Sequence, residues 1–274
     1  MQTESSSGAA VAATPAWQRL QEAAVNAWPA LRQSLYHGWL LRFAPGLGHR
    51  SNCVVPLYPT DGFPTEAPVG DLLAQIRHCE NVYAREQQPT AFRISTGAAQ
   101  TAAIAELDPL LAERGYQQHN LTVVMTKNLH ESDDASHTPT AHQAVQLQNL
   151  GQWLPLYCSL TGMQVPGMAV HQAILQGING ECAFATLYHA NTPAACGMAV
   201  LDGDLVGLFD IFTDPDHRAK GFAETLINTL LAWGKTQRAE HAYLQVSADN
   251  RRAGRLYQRL GFSENHRFWY RLSG

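Results

Sequence analysis

The chain has 274 residues, 45% of them hydrophobic and 15% charged, with a formal net charge of −4 at pH 7. That composition belongs to a folded globular protein with apolar material for one large domain or two of ordinary size. The mildly acidic balance implies no broad basic face and argues against nucleic acid as the main partner.

Residues 1–14 are rich in Ser, Ala and Gly. They lack the basic start and apolar core of a secretory signal and read as a disordered tail. A helix is predicted over 15–30, where Trp17, Leu20, Ala24 and Trp28 recur at helical spacing. Strands are predicted at 38–43 and 51–58, and the Pro-Gly-x-Gly turn between them makes the pair antiparallel. A loop rich in Pro, Gly and Asp (59–70) precedes a helix over 71–87, a strand at 91–95, a helix over 102–114 and a strand at 121–129. The order is β-β-α-β-α-β. Residues 130–141 are polar and aperiodic, the place for a linker between a first domain (15–129) and a second (142–274).

The second half begins with a strand at 144–150 and helices over 151–162 and 168–176. Strands follow at 182–189, 195–201 and 205–213, the last two joined by the hairpin signal Asp202-Gly203. A helix over 222–238, a strand at 241–247, a helix over 250–260 and a strand at 267–272 complete the chain. The expected fold class is α/β, with a mixed sheet and helices on its faces. No apolar run nears the ~20 residues that span a bilayer, so no membrane is expected. Five widely spaced cysteines form no C-x-x-C pair and read as reduced thiols of a cytoplasmic protein. The twelve histidines show no ligand spacing, and no metal is expected.

Two stretches carry chemistry. The apolar strand 205–213 is broken by Asp214-Pro215-Asp216, and Arg218-Ala219-Lys220-Gly221-Phe222-Ala223 then opens a helix. A strand that turns through Gly into a helix leaves N–H groups unpaired at the helix N-terminus, a site for a pyrophosphate. Gly221 lets phosphates approach the main chain, while Arg218 and Lys220 add positive charge. Alone, the same residues also fit an ordinary strand–turn–helix junction. Further on comes Asn250-Arg251-Arg252-Ala253-Gly254-Arg255-Leu256-Tyr257-Gln258-Arg259-Leu260-Gly261-Phe262. Together, R-x-x-G-x-A at 218–223 and N-x-x-A-x-x-L-Y-x-x-L-G-F at 250–262 resemble the GNAT superfamily of acyl-CoA-dependent N-acyltransferases, over residues 142–274.

The first half ends like the second. Residues 107–116 followed by a strand parallel 253–262 followed by a strand, with Gly115 opposite Gly261 and Leu111 opposite Tyr257. The 59–70 loop stands where a phosphate loop would be but has no R-x-x-G-x-A. The chain therefore reads as a tandem of GNAT-like folds whose first member has lost its cofactor site, although helix–Gly–aromatic–strand junctions are common in α/β proteins. In its G-W-L-L-R (38–42) and R-S-N (50–52) elements the first half is also similar to the region that precedes some bacterial GNAT domains.

The resemblance implies acetyl-CoA as acyl donor and direct transfer to a primary amine. Arg218, Ala219, Lys220, Gly221, Phe222 and Ala223 would hold the pyrophosphate. Main-chain groups of Phe212 and Thr213 would pair with the pantetheine like an added strand. Asn250 would contact the pantetheine or serve as a helix N-cap. Tyr257 shares a helix face with Ala253, Leu256 and Leu260 and alone would be a core aromatic. By the family match it is the general acid that protonates the departing thiolate. Asp210, the carboxylate inside the apolar strand, is a candidate general base, with a solvent-facing edge position or an ion pair as its alternatives. The acceptor pocket is expected from residues 151–180 and the face of the first half, with Trp153, Tyr157, Met163, Met168 and His171 as candidates. No cysteine sits in a nucleophile motif. The acceptor would be a small-molecule or peptide amine, and the protein a monomer or homodimer. The rival readings are a longer acyl donor and a non-catalytic acyl-CoA-binding module.

Overall fold

A mixed sheet of eleven strands runs through the computed structural model, which describes residues 16–44, 46, 48–58, 72–96, 105–130 and 143–274. The expected tail, the 59–70 loop and all but the first residue of the expected linker lie outside the described residues. In chain order the elements are α1 (Trp17–Asn26), β1 (Arg32–Tyr36), β2 (Trp39–Phe43), β3 (Val54–Pro56), α2 (Leu72–Arg85), β4 (Ala91–Ser95), α3 (Leu107–Glu113) and β5 (Gln117–Asn128). Then come β6 (Gln143–Gln148), α4 (Leu150–Thr161), α5 (Val165–Gln176), β7 (Cys182–His189), β8 (Thr192–Asp202) and β9 (Leu205–Thr213). A short 3-10 turn (Pro215–His217), α6 (Phe222–Thr236), β10 (His241–Ser247), α7 (Arg251–Arg259) and β11 (Ser263–Leu272) close the chain.

The sheet order is β1-β2-β3-β4-β11-β5-β10-β9-β8-β7-β6. The last strand of the second half, β11, lies antiparallel between β4 and β5, and β5 pairs antiparallel with β10. Each half thus gives its final strand to the other, and neither 15–129 nor 142–274 carries a complete sheet of its own. Polar contacts hold the exchange. Asp108 of α3 accepts hydrogen bonds from Trp269 Nε1 (2.8 Å), Arg271 Nε (2.8 Å) and Arg271 Nη2 (2.9 Å), all on β11. Burial pushes the Asp108 carboxyl up, but the bonds from Arg271 and Trp269 outweigh it and the net shift is downward. From β5, Lys127 Nζ donates to Leu260 O at the C-terminus of α7 (2.8 Å), where the helix carbonyls lack partners.

The two matching ends share their backbone geometry. Gly115 and Gly261 have φ of 87° and 85°, the left-handed region that glycine enters without steric cost. Tyr116 N donates to Leu111 O and Phe262 N to Tyr257 O, both at 3.0 Å.

Three cores flank the sheet. The first packs α1, α4 and α5 on it, with Leu20, Trp28, Trp153, Ile174 and Phe209 buried together. The second lies under α6 and α7 around Phe222, Leu226, Leu230 and Leu244, and the third under α2 and α3 around Trp39, Ile76, Tyr83 and Phe92. Although α1 precedes the first half, it is tied to the β8–β9 hairpin. Arg19 Nη2 donates to Asp202 O (2.6 Å) and Oδ1 (2.7 Å), and Asn26 to Oδ2 (2.9 Å).

Strand β1 is an addition to the sequence-based expectation. Its residues Arg32 to Leu35 are exposed, so no period-two pattern marks it, and it joins β2 through His37 and Gly38, both at positive φ. Gly38 is required there, since a Cβ would come within 2.8 Å of Tyr58 O. The antiparallel pairing of β2 with β3 is as expected.

A cleft where the sheet parts

β9 and β10 pair in parallel only over Leu205–Leu208 and His241–Leu244. Beyond that, β9 stays with β8 as far as Thr213, and β10 stays with β5 as far as Ser247. The sheet therefore splits between them, and main-chain groups on the inner edge of 209–213 face the gap. The split starts at a bulge. Met198 faces Phe209 and Cys196 faces Phe212, so Gly197 stands opposite both Asp210 and Ile211, and Asp210 takes φ +52°. Gly197 leaves the room this needs, because a Cβ there would lie 2.5 Å from Ile211 Cδ1.

The cleft holds about 320 Å³. One wall is Leu208 to Phe212, the other Leu244 to Ser247; Asn250, the N-cap of α7, with Ala253 and Tyr257 of that helix closes one side, and Arg50 and Tyr157 the other. The sequence-predicted Asp210, Phe212, Asn250 and Tyr257 thus come together in one cavity. Tyr257 is 8% exposed, and burial pushes its phenol up to about 12. Its hydroxyl has no hydrogen-bond partner among the described residues. Asn250 caps α7, its side chain accepting from Ala253 N at 3.1 Å.

Asp210 Oδ2 is 2.9 Å from His171 Nε2, with the two atoms off the line of a well-formed hydrogen bond. The imidazole is gripped by Trp28 and Tyr157, whose ring centroids lie 5.2 and 5.0 Å away. Asp210 thus faces a buried histidine while its strand borders the cavity. Of the other expected acceptor-pocket residues, Tyr157 lines the cleft. Trp153 is a core residue donating its Nε1 proton to Ala185 O (3.1 Å), and Met163 and Met168 pack against the same core.

The residues expected from the sequence to hold a pyrophosphate, Arg218 to Ala223, sit past the split end of β9. Arg218 Nε donates to Thr213 O (3.3 Å) and Lys220 Nζ to Asp216 O (2.9 Å), which fixes both side chains around the turn. Ala219 (φ 62°) and Gly221 (φ 79°) are both left-handed, and Gly221 is the N-cap of α6 without a side-chain cap. Alternating backbone handedness of this kind turns successive N–H groups inward as an anion nest. The N–H groups from Ala219 to Ala223 have no main-chain partner among the described residues. At the opposite end of β9 and β10, Asp204, Glu240 and His241 bring ligand atoms within 4.8 Å of one another, away from the cleft.

Sequence reasoning missed a second pocket that adjoins the first. It holds about 370 Å³ between Trp28, His49, Arg50, Phe268 and Tyr270, and shares Arg50, Gln245 and Ser247 with the cleft. Its one sequence signal was the R-S-N element at 50–52.

Residues 14–271 match the family described as "Probable histone acetyltransferase Rv0428c C-terminal". The chain is 26% identical over 260 residues to the uncharacterized N-acetyltransferase YobR of Bacillus subtilis, covering 93% of this chain and 98% of that one. Among solved structures, a GCN5-related N-acetyltransferase from Kribbella flavida superposes with a TM-score of 0.64 at 17% identity, covering 94% and 93% of the two chains. A tandem GNAT protein from the clavulanic acid biosynthesis pathway superposes with a TM-score of 0.60 at 13% identity, over 74% and 70%. With a family match along almost its whole length, the chain belongs to this acetyltransferase family, and it shares its fold with the GNAT structures above, the tandem one included. It is an N-acetyltransferase enzyme by family.

Proposed function

We propose that the protein transfers the acetyl group of acetyl-CoA to a primary amine by direct attack within the β9–β10 cleft. The observation that carries this reading is the convergence of Asp210, Tyr257 and the unpaired inner edge of β9 on one cavity, beside an anion nest at the start of α6. The pyrophosphate binds the N–H groups from Ala219 to Ala223, with Arg218 and Lys220 alongside. The pantetheine runs along Phe212 and Thr213 as an added strand, past Asn250. A β9 N–H polarises the thioester carbonyl. Asp210 takes a proton from the acceptor's ammonium, directly or through water, and the freed amine attacks the thioester carbon, forming the carbon–nitrogen bond of a tetrahedral intermediate. As the intermediate collapses, the carbon–sulfur bond breaks and Tyr257 donates its proton to the thiolate; the remaining extra proton on nitrogen returns to the phenolate, which leaves the amide, free CoA and a restored Tyr257.

No cysteine enters this scheme, and all five are free, four of them buried. Free thiols support a cytoplasmic protein. No helix among the described residues is long and apolar enough to cross a membrane. A thiol-release assay tests the reaction. CoA should appear from acetyl-CoA only when a primary amine is present, in step with N-acetylated product. Release independent of amine, or an acetylated enzyme formed from acetyl-CoA alone, would contradict direct transfer.

A further inference from the structure

The pocket beside the cleft is lined by one arginine, Arg50, in a protein of net charge −4. Arg50 lines both cavities, its guanidinium carbon 5.0 Å from the Trp28 ring centroid and 5.9 Å from that of Phe209. No ion pair engages it among the described residues, and no Asp or Glu lines the pocket. Asp210, in the adjoining cleft, faces His171 instead.

Behind the Phe268 wall lies a second guanidinium. Arg93 of β4 is 4% exposed and sits 3.9 Å over the Phe268 ring centroid, and its Nε and Nη2 have no hydrogen-bond partner. Burying a cation without counter-charge or acceptors is costly, and a guanidinium does not escape by deprotonating. A third arginine, Arg42, is buried nearby, but its Nη1 donates to the carbonyl of Arg50 and its Nη2 to those of Val25 and Trp28, which leaves only Nε without a partner. It is structural. Arg93 has no such explanation. His266 adds no charge at neutral pH, since burial and Arg93 hold it down at about 4.

We propose that this pocket takes the anionic group of the acceptor, so that the substrate is an acid-bearing amine of amino-acid type, with Arg50 facing the anion and Arg93 supplying charge through the pocket wall. Trp28, Phe268 and Tyr270 pack the hydrocarbon between acid and amine, and the shared residues Arg50, Gln245 and Ser247 lead the amine towards Asp210. The volume suits a small molecule. A polycation would meet two arginines of like charge. This inference rests on the acetyltransferase reading above.

The test measures kcat/KM by thiol release for matched pairs: each of the twenty amino acids against its decarboxylated amine, and O-phosphoethanolamine against ethanolamine, with spermidine as a polycation. At least one acid-bearing member should exceed its acid-free partner by about 10–100-fold, the range of a charge-assisted hydrogen bond to an unpaired cation. A carboxylate or a phosphate pair will show the larger ratio and so identify the anion. Arg93→Met should collapse that ratio through KM rather than kcat, and Arg93→Lys should restore part of it. Arg50→Met, at a half-buried position, should do the same if Arg93→Met does not fold. Preference for spermidine, ratios near one throughout, or a panel with no turnover in protein that binds acetyl-CoA would overturn the proposal. Failure to bind acetyl-CoA would instead count against the acetyltransferase reading itself.

Discussion

Tyr257→Phe should lower kcat by about 100-fold while acetyl-CoA affinity changes by no more than about threefold. The hydroxyl removed is the proton donor to the leaving thiolate, and general-acid groups contribute in this range. The ring supplies the packing of Tyr257 against Phe262 and the second core, and phenylalanine keeps it. The pH profile carries a further expectation. Burial raises the phenol from 10 to about 12, so the protonated, proton-donating form persists throughout the neutral and mildly alkaline range. Activity should therefore show no alkaline decline from this group near pH 10, only one approaching pH 12. Unchanged turnover in the phenylalanine variant would remove Tyr257 from the reaction.

Asp210→Asn should have the other large effect, and its size depends on the acceptor. A lysine-like amine with pKa near ~10.4 costs roughly 4–5 kcal/mol to deprotonate at pH 7, and an α-amine near ~7.8 only about 1 kcal/mol. Loss of the base should cost about 100-fold or more at pH 7 for the first kind and about tenfold for the second. In the variant the rate should climb as pH approaches the amine's own pKa, because the free amine then no longer needs a base. The asparagine remains beside His171, so the bulge at Gly197 is preserved. Full activity at pH 7 with a strongly basic amine would make Asp210 a structural partner of His171 and nothing more.

The strand–loop–helix elements around the cleft were legible because their chemistry is local. Gly221 must be left-handed where the helix starts, and Asn250 must cap α7; both demands fall on adjacent residues. Asp210 stood out as a carboxylate in an apolar run, and the structure gives the reason: it occupies a bulge at positive φ and faces a buried histidine. The exchange of β5 and β11 left no trace in the sequence. Both strands follow a helix, a left-handed glycine and an aromatic, so either could fill either place, and only long-range pairing decides. Arg93 was hidden for a related reason. In Ala91-Phe92-Arg93-Ile94-Ser95 it falls on the alternate face that normally meets solvent, yet both faces of β4 are covered here, all five residues being buried. The edge strand β1 was missed because exposure on both faces erases the periodicity that betrays a strand.

The central claim is that the nest at α6 and the split in the sheet bind acetyl-CoA, and a thermal melt with and without acetyl-CoA tests it most directly. The interleaved strands predict one transition for the whole chain. At a hundredfold excess over Kd the ligand adds ~2.7 kcal/mol and should raise the midpoint by about 5 °C. Gly221→Val forces a β-branched residue into φ 79° and should abolish that rise. A folded wild-type protein whose midpoint does not move with acetyl-CoA would contradict the account.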